Sequence, residues 1–255
     1  MATRPVGFFD SGFGGLCIRA AFRRLCPDES TVYLADSANC PYGNRPPEEI
    51  VRLSRANARR LREEYGCKMV VVACNTATAA AIDTLRREDP DFPYIGLEPA
   101  VKPAALHSKT GVVGVLATAG TFNGRLYNET KAKFAKDVTV LATVADEFVE
   151  IVERYGAATG AGRAEGPIVP AELAPEDEAV VRAKIVPLLA AGCDTLVLGC
   201  THFPHLKAVI EKVADGRATV IDPSEAVARQ ARRVLAERHL LAGPQAAAHL
   251  FLTSL

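Results

Sequence analysis

The sequence predicts an α/β protein of two similar three-layer halves, each built on a largely parallel sheet and related by pseudo-symmetry. Three observations carry this reading. Short apolar runs alternate with longer amphipathic stretches almost from end to end, the rhythm of βαβ units. The run Met69-Val70-Val71-Val72-Ala73 is continuously apolar rather than alternating, as in a strand covered on both faces. The pattern also recurs: Gly66-Cys67, a strand, then Cys74-Asn75-Thr76 parallels Gly192-Cys193, a strand, then Cys200-Thr201-His202. A second echo pairs Val6-Gly7-Phe8-Phe9-Asp10-Ser11-Gly12 with Val113-Gly114-Val115-Leu116-Ala117-Thr118-Ala119.

In chain order, a strand opens at Val6 and runs into the glycine-rich turn Gly12-Phe13-Gly14-Gly15. A second strand ends before Asp36-Ser37, and proline and glycine make residues 40–47 a loop. Pro47 and Glu48-Glu49 suit a first helical turn, Ile50, Leu53, Leu61 and Tyr65 share one face, and Gly66 caps the end. After the Met69 strand, Asn75-Thr76 start a helix reaching about Arg87, closed by Pro90. In the second half, a helix ends near Tyr155 and another begins near Pro175, with 156–174 as a mobile surface loop. A strand at Thr219-Val220-Ile221, a helix from Pro223 to about Leu240 and a short apolar tail complete the pattern.

Composition narrows the function classes. The 255 residues carry 30 Lys+Arg against 30 Asp+Glu, so no basic field draws in nucleic acid or anionic lipid. Trp is absent and the apolar runs are far shorter than the roughly 20 residues of a membrane helix. Met1 to Pro5 shows no secretory signal, so the expected location is cytoplasmic. Seven cysteines with no CxxC pair argue for thiols acting singly rather than disulfides, thioredoxin-type redox or a zinc ribbon.

In open parallel sheets, ligands bind beyond the carboxyl ends of the strands. The residues there are Asp10, Ser11 and Gly12; Asp36 and Ser37; Cys74, Asn75 and Thr76; Thr118 and Thr121; and Cys200, Thr201 and His202. The glycines at 12–15 lack the GxGxxG spacing and the Walker lysine, so a tight turn with close backbone approach explains them better than a phosphate loop. Cys74 and Cys200 each follow a strand where a helix begins, and the positive end of a helix dipole favours a thiolate. Ser11, Asn75, Thr76 and Thr201 supply groups suited to a carboxylate. His202 and Asp10 stand where each could orient or deprotonate one thiol. Two thiols facing a small acid are what racemisation by two bases requires, one removing the α-proton and the other returning a proton to the opposite face. A zinc site of Cys200, His202 and His205, or a non-catalytic amino-acid binding protein, are the competing readings.

Phe9-Asp10-Ser11-Gly12-Phe13-Gly14-Gly15, Pro41-Tyr42-Gly43, Ala73-Cys74-Asn75-Thr76-Ala77 and Gly199-Cys200-Thr201-His202-Phe203-Pro204 closely resemble, in order and spacing, the motifs of the bacterial glutamate racemases. The resemblance implies a cofactor-independent, metal-free isomerase that makes D-glutamate for peptidoglycan, with the active site between two α/β domains. It implies Cys74 and Cys200 as the acid/base pair, assisted by Asp10, His202 and Glu153. Substrate contacts would come from Asp10, Ser11, Tyr42, Gly43, Asn75, Thr76, Thr118, Thr121, Thr201 and His202. The chain departs from the family before and within the helix bearing Glu153, having Ala145-Asp146 for Cys-Pro and Glu150 for Pro. Aspartate racemase is the nearest rival within the superfamily. With the paired pattern, the resemblance places one domain at 1–98 plus 206–255 and the other at 99–205. A homodimer is left open.

Overall fold

The computed structural model describes residues 2–97, 100–134, 137–160 and 168–254. Its first strands and helices are β1 (Val6–Asp10), α1 (Leu16–Leu25), β2 (Thr31–Ala35), α2 (Pro47–Arg59), β3 (Met69–Val72), α3 (Asn75–Glu88) and β4 (Tyr94–Ile95). There follow α4 (Val101–His107), β5 (Val112–Ala117), α5 (Ala119–Phe122), α6 (Arg125–Phe134), β6 (Thr139–Val144), α7 (Glu147–Thr159), α8 (Pro175–Ala190), β7 (Thr195–Leu198), α9 (Lys207–Ala214) and β8 (Thr219–Ile221). The last are α10 (Ser224–Glu237) and β9 (His249–Thr253).

The strands form two parallel sheets, β4-β3-β1-β2-β9 and β6-β5-β7-β8, flanked by helices. Setting β1 against β5, the order 4-3-1-2 of the first sheet is repeated by 8-7-5-6 in the second, and among the described residues β9 has no counterpart there. Both echoes in the sequence therefore mark equivalent strands: β1 and β5 at the centre, β3 and β7 beside them.

Local chemistry explains the elements. Pro47 begins α2 with Glu48 and Glu49 in the first turn. The helix continues as a wider turn over Arg60–Glu64, and Gly66, at φ +61°, takes the left-handed conformation that ends it. Every residue of β1, β3 and β7 is buried, as their continuous apolar character requires.

The chain divides into one unit of Met1–Leu97 with Ser224–Leu255 and another of Glu98–Pro223. The return to the first unit thus comes after Pro223, not after residue 205 as the sequence pattern suggested. The reason is that β8 bonds to β7, in register from Thr195 opposite Thr219 to Val197 opposite Ile221, which keeps α9 and β8 with the second sheet. The outward boundary, residues 98–99, lies outside the described residues. Each crossing leads into a helix that packs in the unit it enters. Val101 and Ala104 of α4 join Val113, Val115, Tyr127 and Val197 in the second core. Val227, Ala228, Ala231 and Leu235 of α10 join Phe8, Ile18, Phe22 and Met69 in the first. Phe8 and Phe22 meet edge to face at 5.4 Å there, and each such fully buried side chain contributes about 1.5–3 kcal/mol.

Three further expectations are corrected. The helix expected to end near Tyr155 runs on to Thr159 and stops at Gly160, which is left-handed at φ +64°. Of the expected loop, 161–167 lie outside the described residues. The stretch after them is anchored rather than mobile: Ile168, Val169 and Leu173 are buried, and the Ala174 N–H donates to the Tyr155 hydroxyl at 3.2 Å. The apolar tail is strand β9, paired in parallel with β2 from His249 opposite Thr31 to Thr253 opposite Ala35.

At the opposite end of the second sheet from its candidate groups, Asp194 ties the entry of β5 to β7. It accepts hydrogen bonds from the Ser108 hydroxyl (2.6 Å), the Lys109 and Thr110 N–H groups (2.6 and 2.9 Å) and the Thr195 hydroxyl (3.0 Å). Burial opposes its ionisation, but these donors outweigh it and hold the carboxyl well below the usual carboxylate range. A carboxyl more acidic in the folded than in the unfolded chain adds stability above the unfolded value, about pH 4, which is lost as pH falls further. Asp194→Asn should cost about 1–3 kcal/mol at pH 7 in urea unfolding, with the gap to the parent protein narrowing below pH ~4. A gap that stays constant across that range would show that the charge does not matter.

Candidate active site

In the first unit, three strand ends carry the candidate groups. Asp10, wholly buried at the end of β1, accepts the Ser11 N–H at 2.7 Å and the Gly15 N–H at 2.6 Å, bracing the turn that starts α1. A Cβ at Gly15 would lie 2.8 Å from both the carbonyl oxygen and the Cβ of Ala73, so only glycine lets this turn close against the end of β3. Gly15 makes the close approach expected of this turn.

Cys74 follows β3 as the N-cap of α3. Its backbone is extended, and its sulfur accepts the Ala77 N–H at 3.4 Å, the place an N-cap oxygen usually takes. Negative charge on sulfur is favoured there by that N–H and by the helix dipole. Ala73 N–H donates to the Phe9 carbonyl at 2.7 Å, so Asp10 and Cys74 sit on adjacent strand ends. Asn75 and Thr76 are buried beside the thiol, and among the described residues the Asn75 Oδ1 has no hydrogen-bond partner. Ser11 is buried and Gly43 half-buried.

Tyr42 reaches this edge from the loop after β2, and what holds it was not foreseen. Its hydroxyl donates to Asp36 at 2.6 Å, while the Asn57 amide lies 3.2 Å from the same hydroxyl and 3.3 Å from Asp36. Burial, the Asp36 hydrogen bond and the nearby charges of Asp36, Cys74 and Asp10 push the phenol far up, so it remains a donor throughout the physiological range. Asp36 had a sequence signal, its position just past β2. Asn57, inside a helix, had none.

In the second unit, the Thr118 and Thr121 hydroxyls lie 3.0 Å apart, both buried, at the turn after β5. Cys200 and Thr201 are buried after β7. The expected α-helix start at Cys200 is not what forms: a short 3-10 turn spans Phe203–Leu206, and α9 begins at Lys207. Cys200 is served by a side-chain relay in its place. Its sulfur lies 3.7 Å from His202 Nδ1, and His202 Nε2 lies 2.6 Å from Glu153 Oε1. With the Nε2 proton donated to that carboxylate, Nδ1 is the acceptor facing the thiol. Glu153 is placed by α7, whose Phe148 meets Phe203 edge to face at 5.1 Å. Among the described residues, Cys200, His202 and His205, the ligands of the zinc alternative, do not form a three-ligand cluster.

Thiols, hydroxyls, a carboxylate and an imidazole at the carboxyl ends of parallel strands define a class, the α/β enzymes that act on small molecules at that edge. Residues 16–231 match the family described as Asp/Glu/Hydantoin racemase. The chain is 43% identical over 252 residues to a glutamate racemase of Pseudomonas entomophila, covering 99% of this chain and 89% of that one. Its fold matches the crystal structure of the Escherichia coli glutamate racemase in complex with L-glutamate and the activator UDP-MurNAc-Ala, with TM-score 0.80, 32% identity and coverage of 99% and 90%. It also matches the Francisella tularensis glutamate racemase in complex with D-glutamate, with TM-score 0.80, 28% identity and coverage of 100% and 89%. The chain belongs to the Asp/Glu/Hydantoin racemase family, and is an isomerase, an amino-acid racemase.

Proposed function

We propose that the protein interconverts L- and D-glutamate by a two-base mechanism without cofactor or metal, Cys74 and Cys200 acting on opposite faces of the substrate Cα. The observation that carries this reading is the equivalence of the two thiols. Each follows the strand beside the central strand of its sheet, β3 next to β1 and β7 next to β5. One thiolate takes the α-proton, the electron pair passes into the α-carboxylate, and the other thiol delivers its proton to the far face. The opposite enantiomer reverses the two roles. Buried N–H and hydroxyl groups at Ser11, Thr76 and Thr201 suit the carboxylates, and the Asn75 Oδ1 is an acceptor for the α-ammonium. Glutamate is favoured over aspartate because relatives named for glutamate match nearly the whole chain. The D-glutamate would serve peptidoglycan synthesis in the cytoplasm.

The test runs each enantiomer in deuterated water, with a chelator present throughout, and examines both pools at low conversion. Starting from L-glutamate, new D-glutamate should carry deuterium at Cα while residual L-glutamate stays protiated. Substantial protium in the early product means one base swinging between faces, which defeats the paired assignment. Aspartate assayed in parallel should turn over about 10- to 200-fold more slowly, the discrimination one methylene allows.

A further inference from the structure

We infer that β9, a strand of the first sheet with no counterpart in the second among the described residues, is together with the residue after it a positioning element for the reaction, acting through Phe251 and Ser254. The inference rests on the reading of Asp10, Ser11, Tyr42 and Cys74 as the first unit's share of the site. The turn between β1 and α1 is held residue by residue. The Tyr33 hydroxyl donates to the Gly12 carbonyl at 2.8 Å, the Cys17 thiol to the Gly14 carbonyl at 3.1 Å, and Gly15 N–H to Asp10 at 2.6 Å. Phe13 is held by β9. Its ring stacks on Phe251 at 6.2 Å and 9° between planes, and Phe251 stacks in turn on Tyr33 at 5.7 Å and 7°. The ring of Phe251 thus lies between the turn that carries Ser11 and the tyrosine that fixes Gly12.

The residue that follows β9 reaches a second turn of the site. Ser254 N–H donates to the Ala35 carbonyl at 3.0 Å, and Ser254 Oγ accepts the Ala38 N–H at 2.9 Å. Ala38 belongs to the short helical turn Ser37–Asn39, which follows Asp36, the residue that holds the Tyr42 hydroxyl. Neither Phe251 nor Ser254 is among the candidate site groups; each acts on the groups that are. In the second sheet no equivalent strand flanks β6 among the described residues, and the Thr118 turn is closed by its own Thr121.

The experiment compares Phe251→Leu, which keeps apolar bulk, with Phe251→Tyr, which keeps the stacked ring, and adds Phe251→Ala and Ser254→Ala. Thermal unfolding and both kcat and KM are measured in each direction. The Leu and Ala variants should lose about 10-fold or more in kcat, since misplacing reacting groups by an ångström costs up to about 100-fold. The Tyr variant should retain the parental kcat, and Ser254→Ala should raise KM. Equal kcat for the Leu and Tyr variants, with only the melting temperature changed, overturns the proposal; if the Ala variant does not fold, that pair still decides. Cys74→Ser is assayed alongside. If it remains fully active the underlying site reading fails, whereas an inactive Cys74→Ser with a fully active Phe251→Leu defeats the positioning role alone.

Discussion

Changing either Cys74 or Cys200 to alanine should abolish racemisation in both directions, by about 10³-fold or more, because each direction uses one thiol as base and the other as acid. Neither variant should lose all chemistry. The surviving thiolate still reaches the α-proton of the enantiomer that presents it, and returns solvent hydrogen to the same face. Proton NMR in deuterated water should therefore show slow loss of the Cα signal from one enantiomer only in Cys74→Ala, and from the other enantiomer only in Cys200→Ala. Exchange of the same enantiomer in both variants would mean that the two sulfurs do not serve opposite faces. Both thiols are buried, and alanine removes only the sulfur; unfolding measurements serve as the control.

The second large effect concerns the relay behind Cys200. His202→Asn should lower kcat about 100-fold in the direction where Cys200 removes the proton, and less in the other. The equilibrium between enantiomers is fixed, so kcat/KM must fall equally in both directions, and KM must compensate where kcat is spared. Glu153→Gln keeps an acceptor for Nε2 but removes the charge that favours an imidazolium, so it should give the same asymmetry at about 10-fold. Equal kcat losses in both directions would reduce His202 to a binding group. Cys74 should show no such dependence on a histidine, since an N–H of α3 faces its sulfur.

That difference between the thiols was the part of the site least legible in the sequence. Cys74 could be read because a local rule governs it: a short polar group between an apolar run and a helical stretch is an N-cap. The same rule applied to Cys200 fails, because Phe203–Leu206 forms a tighter turn with Pro204 in it and the α-helix waits until Lys207. What serves Cys200 instead comes partly from Glu153, on a helix 49 positions before His202, and no local pattern encodes such a distance. The central strands were legible for the converse reason, since burial on both faces writes itself into four or five consecutive residues. Strand β9 was not: its burial is partial and its register is set by pairing with β2, more than two hundred residues away. The boundary at Pro223 was missed similarly, because whether β8 belongs with the sheet before it or after it depends on a ladder and not on the segment's own composition.

The two crossings of the chain also bear on the order in which a growing polypeptide can fold. The second unit occupies one uninterrupted stretch, Glu98–Pro223, and has all its strands and helices once that stretch has been synthesised. The first unit begins earlier but lacks α10 against α1 and β9 against β2 until residues beyond 224 are made. Its edge strand β2 and the apolar face of α1 stay uncovered through the synthesis of the whole intervening unit. On a ribosome, the half that is made first is therefore the half completed last, and the window in which its exposed strand could pair with another chain lasts as long as the second half takes to emerge.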